Sequence, residues 1–320
     1  MTESKKSRAL LVLQASVSII LLVWLFSRPD FRGDLSAVLL SADPGWLAAG
    51  FLLAGFVQIL CLMRWRIFLK MAGVDIGLRE AAGIFFAGLF FNLLLPGGAG
   101  GDVVKIGLLA ARRHDVARSA LSVVMDRLAG SVSMILLGSA LMAWKLPWLT
   151  TSPVVAGLVH IMALYLLGLG VLIVLSVVLS SRGIVSLLPP RWPGRAKLVE
   201  LSGVYFQCAV KWRRTASALG ISVVMLACYF MTYYFAARAC GTDPGMGRFL
   251  ALMPTVDILS GLPISLGGVG VREGVFVLLL GSLASVPSAT AVSISLAGYL
   301  MSALWGIPGA FLWFLQRRRT

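Results

Sequence analysis

The sequence predicts an all-α polytopic membrane protein. Its architecture reads as an inverted-repeat bundle of about six full spans plus two Gly/Pro-broken re-entrant helical hairpins. Three observations carry this. First, 59% of the 320 residues are apolar and 13% charged, and mean hydropathy is +0.92. Soluble domains run at about 45–50% apolar and about 25% charged, so too few polar side chains remain to coat a soluble globule. Second, apolar runs long enough to cross a bilayer, about 20 residues, recur along the chain. Third, two further apolar regions are cut by proline and glycine at corresponding places. Apolar dominance excludes disorder. Four cysteines are too few for a disulfide-built secreted scaffold.

The full spans are residues 9–26, 46–63, 120–143, 154–179, 217–237 and 289–315, each bounded by charge, proline or glycine. Arg28-Pro29 follows the first run where a small-residue cleavage site would stand, so that run reads as a retained span. The first broken region, 81–110, is interrupted at Pro96, Gly97, Gly98, Gly100 and Gly101. The second, 249–285, is interrupted at Pro263, Gly267, Gly268 and Gly270. Proline removes a backbone donor and clustered glycine raises the entropic cost of a helix, so both stop it. Freed backbone groups survive at membrane depth only where protein or a water-filled cavity covers them. Each region therefore reads as a hairpin that enters and leaves on one side. Two full crossings per region would give the same parity.

The net charge of +15 taken alone would suggest a nucleic-acid partner. On this topology the basic clusters at 5–8, 64–79, 112–118, 182–214 and 317–319 fall on one side. Arg28, Arg32, Lys145, Arg238 and Arg248 fall on the other. The positive-inside rule makes the first side cytoplasmic, both termini included. The charge becomes an orientation in the cytoplasmic (inner) membrane, and no nucleic acid is expected. The chain reads as a single integral membrane domain, 1–320, with repeat halves 9–143 and 154–315 and a cytoplasmic basic loop at 180–216. Within that loop, 196–212 is expected to lie as an amphipathic helix on anionic lipid.

Seven ionisable residues fall inside the apolar regions, each costing about 2.5–3.5 kcal/mol at a helix centre, so they should pair or line a cavity. Asp102 and Lys105 share one helix face just after the first glycine cluster. They form either a local ion pair near an interface or, with the glycine N–H groups, an anion site. Arg272 and Glu273 hold the corresponding place in the second hairpin. Arg272 can grip a phosphate bidentately. Glu273 could hold Arg272, bind a cationic group or carry a proton.

Asp126 and Arg127 lie on the third full span. Ser122, Asp126, Gly130 and Ser133 make one small, polar stripe there, either a path lining or a packing face. The similar stripe of Ser295, Gly298, Ser302, Gly306 and Gly309 reads as packing. Asp257 is open to a packing hydrogen bond or a proton site. Arg64-Trp65-Arg66 reads as an interfacial anchor, and His160 as a packed or pore-side residue. No C-x-x-C spacing, P-loop or nucleophile–base pair is present, so no metal, cofactor or catalytic residue is expected.

Four stretches carry a family resemblance: Arg64-Trp65-Arg66; Asn92-Leu93-Leu94-Leu95-Pro96 with Gly100-Gly101-Asp102; Asp126-Arg127-Leu128-Ala129-Gly130; and Pro263 to Gly274. They resemble the membrane region of lysylphosphatidylglycerol synthases and their stand-alone, flippase-like relatives, over nearly the whole chain. The resemblance implies inverted helical halves and translocation of a lipid such as aminoacylated phosphatidylglycerol. Carried over by position, the first-hairpin acid is Asp102 and the second-hairpin pair is Arg272 and Glu273. Where the family often has Glu and Arg in the first hairpin, Asp102 and Lys105 stand here. The chain stops at Arg317-Arg318-Arg319-Thr320, so the soluble aminoacyl-transferase domain of the fused enzymes is expected to be absent. Relatives also accompany glycosyltransferases and hopanoid pathways, which adds polyprenyl-linked and hopanoid lipids to the cargo list and a separately encoded lipid-modifying enzyme to the partners. The leading expectation is a lipid translocase. A membrane-embedded partner of a lipid-modifying transferase and a small-solute or ion transporter are the alternatives.

Overall fold

The structure, a computed structural model, describes residues 16–17, 19–20, 37–38, 40–94, 100–181, 183–187, 189, 195–262 and 264–311. Among these, the regular elements are helices. The first long helix, α1 (Pro44–Met71), starts where Pro44 supplies a preset φ and the Asp43 carboxylate accepts from Gly45 N–H at 2.7 Å. A broken pair follows, α2 (Leu78–Leu94) and α3 (Gly100–Ala111). Next comes α4 (Val116–Trp144), with a π-helical turn at Met134–Gly138. The short α5 (Leu146–Leu149) leads to α6 (Pro153–Ser181) and then α7 (Arg195–Val210). The order of helix, broken pair, helix then recurs. It runs α8 (Trp212–Ala239), α9 (Met246–Gly261), α10 (Val271–Ala284) and α11 (Ser288–Phe311).

The chain is an all-α polytopic membrane protein. Five of its helices, α1, α4, α6, α8 and α11, are long and apolar enough to span a bilayer. They coincide with five of the six expected spans. The other, 9–26, lies largely outside the described residues. At 1.5 Å per residue, α2 and α9 reach about 25 Å and α3 and α10 about 20 Å, so each arm is shorter than the spans beside it.

Pro96, Gly97, Gly98 and Pro263 lie outside the described residues. Gly100 and Gly101 open α3. Gly267, Gly268 and Gly270 turn the second break at φ +62°, +80° and +87°, a region that costs glycine nothing.

Small residues let the helices approach closely. Gly101 sits on the Gly88 carbonyl between α3 and α2. Gly298 accepts the Tyr233 ring between α11 and α8, and Gly55 accepts Trp305 between α1 and α11. Trp305 also stacks on Phe51 and donates to its carbonyl at 2.9 Å. Gly298, Gly306 and Gly309 pack as their stripe predicts, against Tyr233, Leu93 and the Phe86 carbonyl.

One expectation is corrected here and another gains a protein contact. His160 is neither packed nor pore-side. It lies on the exposed, apolar face of α6 with Ile161, Leu164 and Leu167, its ring nitrogen satisfied by the Ala156 carbonyl at 2.7 Å. The helix expected to lie on lipid is α7, and one face of it docks on the protein. Leu201, Val204 and Tyr205 pack onto Phe68, Met71, Leu121 and Met125. Two exposed ion pairs join it to the start of α4, Arg118–Glu200 and Lys197–Asp115, both 2.7 Å.

Candidate functional site

Three charge clusters occupy the apolar layer. In the first, Arg64 on α1 meets Asp126 on α4 through two parallel hydrogen bonds, Nε to Oδ1 at 2.7 Å and Nη2 to Oδ2 at 3.0 Å. Its third nitrogen donates to Ser222 Oγ of α8 at 3.2 Å. The anchor reading of Arg64-Trp65-Arg66 therefore fails. The helix continues to Met71, which carries Arg64 into the bundle, and Trp65 is fully buried. Ser122 and Ser133 of the α4 stripe are buried and bond to their own helix, so this part of the stripe is packing.

In the second cluster, Asp102 receives Arg127 of α4 at 2.7 Å and Lys105 at 3.4 Å. Neighbours in sequence, Asp126 and Arg127 thus point to different partners. Lys105 is buried, with its ammonium 4.8 Å over the Phe85 ring and 5.3 Å over Trp65. That cation–π seat takes it out of the cavities described below, so the structure does not support Lys105 as a direct phosphate ligand. Arg127 is different. Its side chain is 58% exposed.

The third cluster is buried. Glu273, 1% exposed, receives Gly270 N–H at 2.6 Å, Arg272 Nη2 at 3.0 Å and Ser295 Oγ at 2.8 Å. Arg272 donates to Ser295 as well, at 3.1 Å, and lies 4.2 Å over the Tyr299 ring. Of the three roles open to Glu273, its bonds match holding Arg272 in place and capping the first turn of α10. Ser295, expected to be a packing residue only, belongs to this cluster.

The two broken pairs correspond in one detail. Asp102 is the third residue of α3 and Glu273 the third of α10. Each carboxylate follows a glycine break and reaches the next span, Arg127 of α4 or Ser295 of α11.

Between the clusters lie two adjoining cavities of about 380 and 400 Å³. Arg127, Tyr229, Asp257 and Gly261 line both. Arg64 and Asp126 border the first, and Arg272, Tyr299 and Gly267 the second. The π-helical turn of α4 begins at Met134, which lines the first cavity, and such turns mark functional sites often. Of the expected site residues, the cavities bring together Asp126, Arg127, Asp257 and Arg272. Asp102, Lys105 and Glu273 stand behind them. The model of the lysylphosphatidylglycerol synthase transmembrane region matches residues 11–308.

The chain belongs to that family. A UPF0104 membrane protein of Methanothermobacter thermautotrophicus is 25% identical over 315 residues, covering 89% of this chain and 88% of that one. As a member of the lysylphosphatidylglycerol synthase transmembrane family, the chain is a multi-pass membrane protein related to lipid modification or flipping. Arg64 and the four tyrosines at the cavities (Tyr165, Tyr229, Tyr233 and Tyr299) are the site residues that sequence reasoning missed. The signal for Arg64 was present, since α4 carries an acid seven residues into its apolar run and needs a cation. The tyrosines carry no such signal, because they look like any other aromatic residues in an apolar helix.

Proposed function

We propose that the protein moves a charged lipid headgroup between the leaflets of the cytoplasmic membrane, with both termini on the cytoplasmic side. The observation that carries this reading is the pair of adjoining cavities in the apolar layer, lined by Arg127, Arg272 and Asp257. Charged groups at this depth are costly unless paired or wet, and their convergence on one space marks a polar route. The headgroup occupies that space while the acyl chains stay in the bilayer. Arg127 and Arg272 receive phosphate, and Asp102 and Glu273 orient them. The repeated order of helix, broken pair and helix supports alternating access between two halves, with the site at the breaks. The cargo class includes aminoacylated phosphatidylglycerol and polyprenyl-linked or hopanoid lipids, supplied by a separate lipid-modifying enzyme.

Leaflet-specific labelling of lipids in cells with and without the protein tests the proposal. Outer-leaflet exposure of at least one charged lipid should fall when the protein is absent. Unchanged exposure of every aminoacylated, anionic and polyprenyl lipid would sink it. Solute uptake into vesicles without lipid movement would select a small-solute transporter instead.

A further inference from the structure

A groove of about 610 Å³ runs between α4 and α6, lined by Ile135 and Ser139 of α4 and by α6 from Ala163 to Val178. Apart from Ser139, its described lining is aliphatic or glycine. That stretch of α6 measures about 22 Å at 1.5 Å per residue. Half of a bilayer's hydrocarbon core is about 15 Å, so the groove has the length for one chain of one leaflet. It adjoins the first cavity. Met134 lines the cavity and Ile135 the groove; on α6, Tyr165 and Leu169 line the cavity, Leu166 and Gly170 the groove. One seam, between the π-helical turn of α4 and the middle of α6, therefore divides the two spaces. The seam is thin. Gly170 brings no side chain to it, and a Cβ there would stand 3.8 Å from Ile135 Cδ1. Of the five spans α6 is the least buried in the protein. Tyr165, on the cavity wall, is 43% exposed.

A charged cavity and an aliphatic groove on two sides of one thin seam match the two ends of a lipid. We infer that the lipid enters the first cavity sideways, through the seam between α4 and α6, and that the groove holds one acyl chain of the same molecule. This rests on the reading that the cavities hold a headgroup, and adds the route of entry and the seat of the tail. Lipid tails are as apolar as the side chains they touch, so surrounding lipid fills the groove without preference. A headgroup held in the cavity adds charge-assisted bonds that the surrounding lipid lacks, and these keep its chain in the groove.

Photolabelling tests this without transport. The full chain goes into vesicles of phosphatidylethanolamine and phosphatidylglycerol that contain a trace of lipid with a mid-chain diazirine, and the labelled residues are located by mass spectrometry. Label on Leu167, Val171 and Val174 of the groove is compared with label on Ile161, Leu164 and Leu172, exposed on α6 outside the groove lining. With the diazirine on either phospholipid, the groove-to-outside ratio should be about tenfold higher than with a diacylglycerol of the same chains, the scale of one charge-assisted hydrogen bond. Gly170→Phe should remove that difference by filling the seam. Gly170→Ala, whose Cβ meets Ile135 at ordinary contact distance, should keep it. Melting curves verify that both variants are folded, and the comparison of probes on the unaltered protein carries the test should Gly170→Phe fail to fold. Equal ratios for all three probes leave only surrounding lipid and overturn the inference. Capture of residues 9–26, or of a second copy of the chain, by a crosslinker at Val171→Cys overturns it too. If the preference holds while leaflet labelling shows no movement, the translocation reading falls and side entry stands; lipid movement with equal ratios does the reverse.

Discussion

Arg64 and Asp126 are the one fully bidentate arginine–carboxylate pair in the apolar layer among the described residues, and they join α1 to α4 at 2.7 and 3.0 Å. The pair is nearly enclosed, so its energetic worth lies in what happens when one member is lost. Arg64→Gln leaves a buried carboxylate without its counter-charge and should cost about 3–5 kcal/mol. Replacing both residues by apolar ones of similar volume should cost much less. Thermal melting of the purified variants in one detergent compares them directly. Equal losses in the single and double variants would mean that the pair has no such role.

Glu273 makes its bonds to Gly270, Arg272 and Ser295 together. Glu273→Gln keeps the volume and gives up the charge, so Arg272 loses the group that fixes its direction into the cavity. Lipid movement should fall at least about tenfold, in line with the loss of a charge-assisted bond. Charge reversal at Glu273 should abolish it while the protein still reaches the membrane. The leaflet assay reads the first effect, and membrane fractionation shows that the variant is present. Normal transport in either variant would remove Glu273 from the site.

The α7 contacts respond to pH and salt. The Lys197 hydrogen bond, with help from the Arg118 backbone N–H, holds Asp115 below its ordinary 3.8. The Arg118 hydrogen bond and the Lys197 charge hold Glu200 below its ordinary 4.5. A carboxylate lowered on docking contributes above its undocked value and loses that contribution as pH falls through the docked one. The Asp115 bond raises Lys197 above 10.5, so its share is present below that value and disappears as pH rises past the docked one. Docking of α7 should stay level between about pH 5 and 10 and loosen below about pH 4. These pairs are open to solvent, so high salt should loosen α7 at neutral pH too. Hydrogen exchange across 195–210 measures both effects.

Gly101 and Gly107 offer a matched comparison on α3. A Cβ at Gly101 would land on the Gly88 carbonyl, whereas one at Gly107 meets nothing within 4 Å. Gly101→Ala should push the two arms apart and cost about 1–3 kcal/mol. Gly107→Ala should be neutral or slightly stabilising through helix propensity. Melting temperatures distinguish the two, and equal shifts would mean the arms do not rely on this contact.

Much of the architecture could be read from the chain alone, because burial in lipid leaves a one-dimensional record. The long apolar runs became α1, α4, α6, α8 and α11. The glycine breaks became the ends of α3 and α10, since loss of helix propensity is local. The site was legible in part. Asp126, Arg127, Asp257 and Arg272 stood out as charges in apolar surroundings, and all four line the cavities. Lys105 stood out equally, yet it is seated on Phe85 and Trp65. Arg64 was masked by its position, one residue beyond the apolar run that marks the span.

Composition and spacing by themselves determined that this chain is a helical membrane protein with two broken regions and a small set of costly intramembrane charges. Solvation decides these features residue by residue, so no partner is needed to recognise them. Only the tertiary structure decided which charges meet. Arg64 found Asp126 across 62 positions of sequence, Arg127 found Asp102 across 25, and Ser295 joined Glu273 across 22. Pairing depends on distance and direction between helices, which helix packing fixes and sequence spacing does not record. That choice of partners closes the charges on one another and brings Arg127 and Asp257 to the wall that the two cavities share.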